Sequence, residues 1–441
     1  MKKSKSVFKS RWGFILASVG SAVGMANVWG FPSKLGSNGG GAFLVAYIIF
    51  IFIFSYVGLS AEFAIGRRAR TGTLGSYEEA WKNKGKNQRK FGKAISWIPL
   101  LGSLTLAMGY AIIVSYVFKA LIDSISGTLL TTDTNVWFES FSLKSFSVVP
   151  YHIVIIIIVM LTLFFGVKSI EKTNTIMMPI FFLIFVVLAI RVFFLDNSIE
   201  GYMFMLIPRW EYLKDPMVWI WAMGQAFFSL SITGSGMIVY GSYLDDKEDV
   251  IAVSRNTAIF DTIAAIISAF VIIPACFSYG VPVQSGPGLL FVTIPNILKD
   301  IYMGEVFAVL LYVAMIFAGI SSLQNMLEVV CESLMFKFKN LKRKNVLMIL
   351  GVLCLSVGIF IEPIYKWGPW MDFICIYIIP LGATIGAISW FWIMKKEDMI
   401  FEINKGVKEK INKAWYLIGK YVYVPLALVL FIVAVVMKIP F

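Results

Sequence analysis

Eleven long apolar runs leave this chain few folds to choose from. They fall at roughly 12–35, 41–66, 96–123, 148–167, 176–195, 217–243, 253–280, 303–335, 346–362, 370–394 and 420–437. About 20 apolar residues cross a hydrocarbon core as a helix, and a spanning segment must satisfy its own backbone hydrogen bonds. The runs are continuous rather than alternating, so they read as helices and not as barrel strands. The fold class predicted is an all-α polytopic membrane protein occupying 1–441 as one domain. The composition agrees: 59% of residues are hydrophobic and 15% charged, against about 45–50% and 25% in a soluble domain.

The basic residues set the orientation. Lys2, Lys3, Lys5, Lys9 and Arg11 precede the first run, and Arg67 to Lys93 hold nine more Lys and Arg between the second and third. Further clusters follow the eighth run (Lys337 to Lys344) and the tenth (Lys395 to Lys420). All fall on one side, which predicts a cytoplasmic N-terminus and an outside C-terminus in a cell inner (plasma) membrane. The net charge of +13 is thus topology, not a nucleic-acid surface, and the partner is a lipid bilayer. No small-residue cleavage pattern precedes the first run, so no signal peptide is expected. The cysteines (276, 331, 354 and 375) form no C-x-x-C pair and His152 is the sole histidine. That argues against a zinc centre, a disulfide framework or a Ser/His hydrolase, and no enzyme is expected. Segment 282–301 carries Pro282, Gly286, Pro287 and Pro295; it is too broken to span and reads as an external lid.

Two runs are poor helices at their centres. The first contains "GSAVGMANVWGFP", Gly20 to Pro32, and the sixth "GQAFFSLSITGSGMIVYGSY", Gly224 to Tyr243. Gly20 and Gly24 alone suit close helix packing. Gly, Ser and Thr at 229–236 favour helix poorly and compete for backbone bonds. Interruptions paired five spans apart point to a carrier built from inverted repeats, its site lined by unwound backbone. The repeats are expected at 12–195 and 217–394, with helix 11 at 420–437.

The chain resembles the neurotransmitter:sodium symporter family, in its bacterial amino-acid branch. The likeness lies in Arg11–Pro32, "NGGGAF" (Asn38–Phe43), "AEFAIGR" (Ala61–Arg67), "GQAFFSLS" (Gly224–Ser231), "GPGLLFVTIP" (Gly286–Pro295) and "AGISS" (Ala318–Ser322). The resemblance implies two sodium sites and no organic cofactor. One site maps onto Ala22, Asn27, Ser229 and Asp261 with the substrate carboxylate, the other onto Gly20, Val23, Ala318, Ser321 and Ser322. Substrate contacts are implied at Ala22, Gly24, Met25, Ala26, Tyr110, Ser229, Ser231 and Ser322, with Glu62 bonding the unwound sixth span. Gly24 leaves room for a carboxylate where monoamine carriers have an aspartate. The side-chain pocket is expected from Leu106, Phe228, Gly234 and Met326, with Gly234 opening volume and Gln324 and Asn325 near enough for a phenol. A bulky L-amino acid, tyrosine first, follows.

Asp261 is an intramembrane carboxylate, a functional feature by default. Relatives with an amide there need chloride, so chloride-independent transport is expected. The outer gate keeps Asp372 but has Gly30 for its arginine, leaving Lys34 one turn later. Lys5 and Tyr243 fit the inner gate; its acidic partner falls on Phe336, with Glu332 one turn earlier. A proton-coupled carrier of similar architecture is the alternative, and a channel or a sensor are further readings. The sequence leaves oligomeric state open.

Overall fold

The computed structural model describes residues 8–283, 286–407 and 409–440. Among the described residues the fold is helical, with one isolated backbone bridge between Gly40 and Pro208. Helices stand at all eleven expected positions. Eight are helices long and apolar enough to cross unaided: Gly41–Ala69, Lys86–Ile125, Val167–Phe193, Val250–Ser278, Gly304–Lys337, Arg343–Ile361, Ile364–Ile393 and Ala414–Met437. The first span is a bent pair, Arg11–Ala22 and Ala26–Ser37, angled by 60°. The fourth is short, Val149–Leu163. The sixth is split into Pro216–Ser229 and Gly236–Gly241.

Boundaries move where polar residues join a helix. The fifth span was expected from 176 but starts at Val167, directly after Gly166 at φ +66°. Hydropathy misses its first turns because Lys168, Glu171, Lys172 and Asn174 interrupt them. The third span is likewise preceded by a basic helix, Lys86–Ile95. The eleventh begins at Ala414, six residues before the apolar run. Asp215 and Asp249 cap the sixth and seventh spans by accepting backbone N–H bonds from Met217, and from Ile251 and Ala252, the role short acidic side chains serve best.

Position follows from burial. The third and eighth spans pack along one another, and the first lies against the fifth, seventh and eighth. The two halves of the sixth lie on the second. Thus both broken spans sit inside the bundle, where irregular backbone is tolerated. The ninth and eleventh spans are mostly exposed, as lipid-facing helices are.

On the basic side, Arg67 ties three segments together. Its Nε donates to Glu402 Oε1 at 2.7 Å, and its other nitrogens reach the carbonyls of Glu248 and Glu402. Arg67 and Glu402 are both fully buried. Removing Arg67 leaves the buried Glu402 carboxylate with Lys405 alone, 3.0 Å from its other oxygen. Arg67→Met is therefore expected to destabilise the protein by up to about 3–5 kcal/mol, read as a lowered Tm in detergent.

Candidate functional site

The first break is short. Ala22 ends the helix, Val23 is extended (φ −67°, ψ 119°), and winding resumes as a wide turn over Ala26–Gly30. The freed groups have partners from other spans. The Tyr110 hydroxyl accepts from Met25 N–H at 2.9 Å. Ser322 Oγ donates to the Val23 carbonyl at 3.0 Å and Gln225 Nε2 to that of Ala26 at 3.2 Å. Gly24 N–H donates to its own neighbour, Asn27 Oδ1, at 3.1 Å.

The second break runs from Leu230 to Ser235. Ser231 and Gly234 have φ of +52° and +73°. The Glu62 carboxylate accepts from the N–H groups of Gly234 (2.7 Å) and Met237 (3.2 Å), and the Tyr77 hydroxyl donates to the Gly234 carbonyl at 3.1 Å. Ser231 Oγ donates to the Ser21 carbonyl at 3.3 Å, joining one break to the other.

Between the breaks lies a buried polar cluster around one carboxylate. Asp261 is fully buried. Its carboxylate accepts from Asn27 Nδ2 at 2.8 Å and Ser229 Oγ at 2.6 Å. Tyr47 donates to Ser229 Oγ at 3.3 Å. Every donor is neutral, and no described basic residue pairs with Asp261. Tyr47 escaped the sequence reading because a mid-span tyrosine carries no motif. Ala22, expected here, is the last residue of the first helix, directly before the break.

A second group of oxygens joins the first and eighth spans. Ser321 Oγ donates to the Ala318 carbonyl at 2.9 Å, and Ser322 reaches Val23 as above. Gly20 abuts Ser321: a Cβ added to the glycine would stand 3.1 Å from the serine Cβ. A Cβ on Gly24 would stand 2.7 Å from both Ser322 Oγ and the Tyr110 hydroxyl. A side chain at Gly24 would thus crowd these two polar groups.

Above the breaks opens a cavity of about 720 Å³, bordered by Met25, Ala26, Tyr110 and Phe228. Leu106, Phe228 and Met326 do come together, around Ile374, Cys375 and Ile379 of the tenth span. Those three were missed, since one more apolar residue in an apolar helix gives no signal. Gly234 does not join them. A Cβ there would lie 2.2 Å from the Gly382 carbonyl oxygen and 2.8 Å from the Tyr77 hydroxyl; the glycine serves a close backbone approach and opens no pocket. Gln324 and Asn325 also turn away. Gln324 pairs with Asn174 and Thr173, and Asn325 donates to Ser21.

The gates differ from expectation. Lys34 and Asp372 both border the outer cavity, but Lys34 lies over the Trp221 ring at 5.6 Å and forms no ion pair with Asp372 among the described residues. Pro287 borders the same cavity, and a helix over Leu289–Lys299 follows it within the expected lid. On the inner side Tyr243 donates to Glu328, which pairs with Arg343. The acidic partner is thus Glu328, two turns before Phe336, with Glu332 3.7 Å from Arg343. Lys5 lies outside the described residues.

The profile of the Sodium:neurotransmitter symporter family matches residues 5–148 and 138–440. The uncharacterized sodium-dependent transporter YhdH of Bacillus subtilis is 28% identical over 454 residues, covering 98% of each chain. An uncharacterized sodium-dependent transporter of Haemophilus influenzae is 25% identical, again covering 98% of both. Among solved structures, MhsT in complex with L-phenylalanine superposes with a TM-score of 0.86 at 30% identity, covering 98% of this chain and 100% of that one. The chain belongs to the sodium:neurotransmitter symporter family and is a multi-pass, sodium-dependent membrane transporter.

Gly234 gives a direct check of the pocket geometry. Gly234→Ala must both strain a positive φ and push against Gly382. It is expected to destabilise by about 2 kcal/mol or more, seen as a lower Tm. The ranking of amino-acid substrates by residual transport should stay unchanged, contrary to a glycine that sets pocket volume.

Proposed function

We propose that this member of the sodium:neurotransmitter symporter family takes up a bulky L-amino acid, aromatic with tyrosine as first candidate, together with sodium and without chloride. The carrying observation is Asp261: a fully buried carboxylate held, among the described residues, only by neutral donors beside both helix breaks. A carboxylate placed so deep is costly until a cation joins it. The surrounding hydroxyls, amide and carbonyls are the oxygen ligands a hard cation prefers.

Two sodium ions are assigned. One sits at Asp261, Ser229, Asn27 and Ala22, where the Asn27 amide turns its oxygen from Gly24 N–H to the ion. That frees the Gly24 amide, with Met25 and Tyr110, for the substrate α-carboxylate at the positive end of the helix beginning there. The other sits at Gly20, Val23, Ala318, Ser321 and Ser322. Ser231 helps hold the breaks together. The side chain of the amino acid enters the pocket of Leu106, Phe228 and Met326, with the tenth span as its far wall. MhsT, solved with L-phenylalanine, supports an aromatic ligand. The repeats at 12–195 and 217–394 rock about this centre, with helix 11 outside them. The basic loops favour a cytoplasmic N-terminus and an outside C-terminus in the plasma membrane. Lys34 and Asp372 close the outer end and the Tyr243–Glu328–Arg343 cluster, with Lys5, the inner end. Each net charge carried inward gains about 2.3 kcal/mol per 100 mV.

Asp261 also favours a second reading, a proton-coupled carrier in which this carboxylate carries the proton. Two measurements in proteoliposomes decide. Twenty amino acids competing for sodium-dependent uptake should leave tyrosine, phenylalanine and other bulky residues ahead by at least about tenfold; a preference for glycine or alanine contradicts the pocket. Asp261→Ser removes the fixed charge. Its transport is expected to fall and to be partly restored by chloride, whereas wild type ignores chloride. Unchanged rate and chloride response in the variant would remove Asp261 from the mechanism.

A further inference from the structure

The fifth span (Val167–Phe193) contributes one side chain whose bonding is incomplete. Asn174 is fully buried. Its amide nitrogen spends both hydrogens, one on the Ile170 carbonyl and one on Gln324 Oε1, each at 2.9 Å. Gln324 is itself fixed, donating Nε2 to Thr173 Oγ1 at 3.0 Å, and Thr173 in turn donates to the Ser169 carbonyl. This relay leaves the amide one orientation, with Oδ1 on the far side. That oxygen has no hydrogen-bond partner among the described residues. It lies against Gly20, only 2.1 Å from where a Cβ would stand, and the same point is 3.1 Å from the Cβ of Ser321. A buried acceptor with no donor costs free energy comparable to a lost hydrogen bond.

We propose that Asn174 Oδ1 is a further ligand of the ion held between the first and eighth spans, rather than a packing residue. The proposal rests on the reading of a second sodium site above. Its geometry is that site's geometry: Gly20 and Ser321 flank the free oxygen, and the hydroxyl of Ser321 is already turned to the Ala318 carbonyl, with its lone pairs left over. An amide oxygen is the neutral, hard ligand that sodium takes. Three spans then meet at one ion, so its binding would set how the first span rests on the fifth and eighth. Gln324 acts as the positioning residue that holds the amide in place.

Equilibrium binding of ²²Na⁺ to the purified full chain, without amino acid, tests this. Asn174→Leu keeps the branched outline of the side chain and removes the oxygen. The half-saturating sodium concentration is expected to rise about tenfold. Ser321→Ala with Ser322→Ala serves as the reference for the site itself. A rise in the serine variant with none in Asn174→Leu overturns the role of Asn174 and leaves the site standing; no rise in either overturns both. Asn174→Asp keeps the shape and adds a negative charge. It is expected to lower the half-saturating concentration several-fold, which a packing role would not do; an unchanged value overturns the proposal even if the leucine variant fails to fold.

Discussion

A buried carboxylate with no basic partner among the described residues is the constraint on which the rest of this molecule turns. Desolvating such a group is expensive, and neutral hydrogen bonds from Asn27 and Ser229 offset only part of it. A cation supplied from outside completes the balance. That couples ion occupancy to the placement of three spans, because Asp261 lies in the seventh, Asn27 in the first and Ser229 at the end of the sixth's first half. A fixed basic residue at this point would have satisfied the charge permanently and removed the coupling.

The helix breaks make the same choice with backbone groups. An unwound turn frees amides and carbonyls that need partners inside a membrane. Here most are held by side chains from different spans: Tyr110, Ser322, Gln225, Glu62 and Tyr77. These are exchangeable bonds. A ligand that takes over one of them shifts the balance between two packings at little cost, as a conformational switch requires. By contrast, the Arg67–Glu402 link is a buried ion pair, and suits a part that keeps its shape.

The architecture was legible because lipid imposes a simple code. Twenty apolar residues announce a span, and Gly, Ser and Thr clustered at 229–236 announce a break. The polar cluster was legible too, since Asp261 is conspicuous among apolar neighbours. What stayed hidden depends on contacts between distant segments. Gly234 reads as empty space until Gly382 and Tyr77 are seen against it. Gln324 and Asn325 look available until Asn174 and Ser21 claim them. Glu328 is an ordinary helical glutamate until Arg343, fifteen positions on, folds back to it. The start of the fifth span was hidden for another reason: its first turns mix the exposed Lys168 and Lys172 with the buried Glu171 and Asn174, so the apolar run breaks off although the helix continues.

Coupling to sodium is the claim that can be tested most directly. Tyrosine accumulation in sealed proteoliposomes should be driven by an inward sodium gradient at equal pH on both sides, with gluconate replacing chloride throughout. The account expects concentrative uptake that collapses when the sodium gradient is dissipated. Accumulation driven by a proton gradient in the absence of sodium would contradict it.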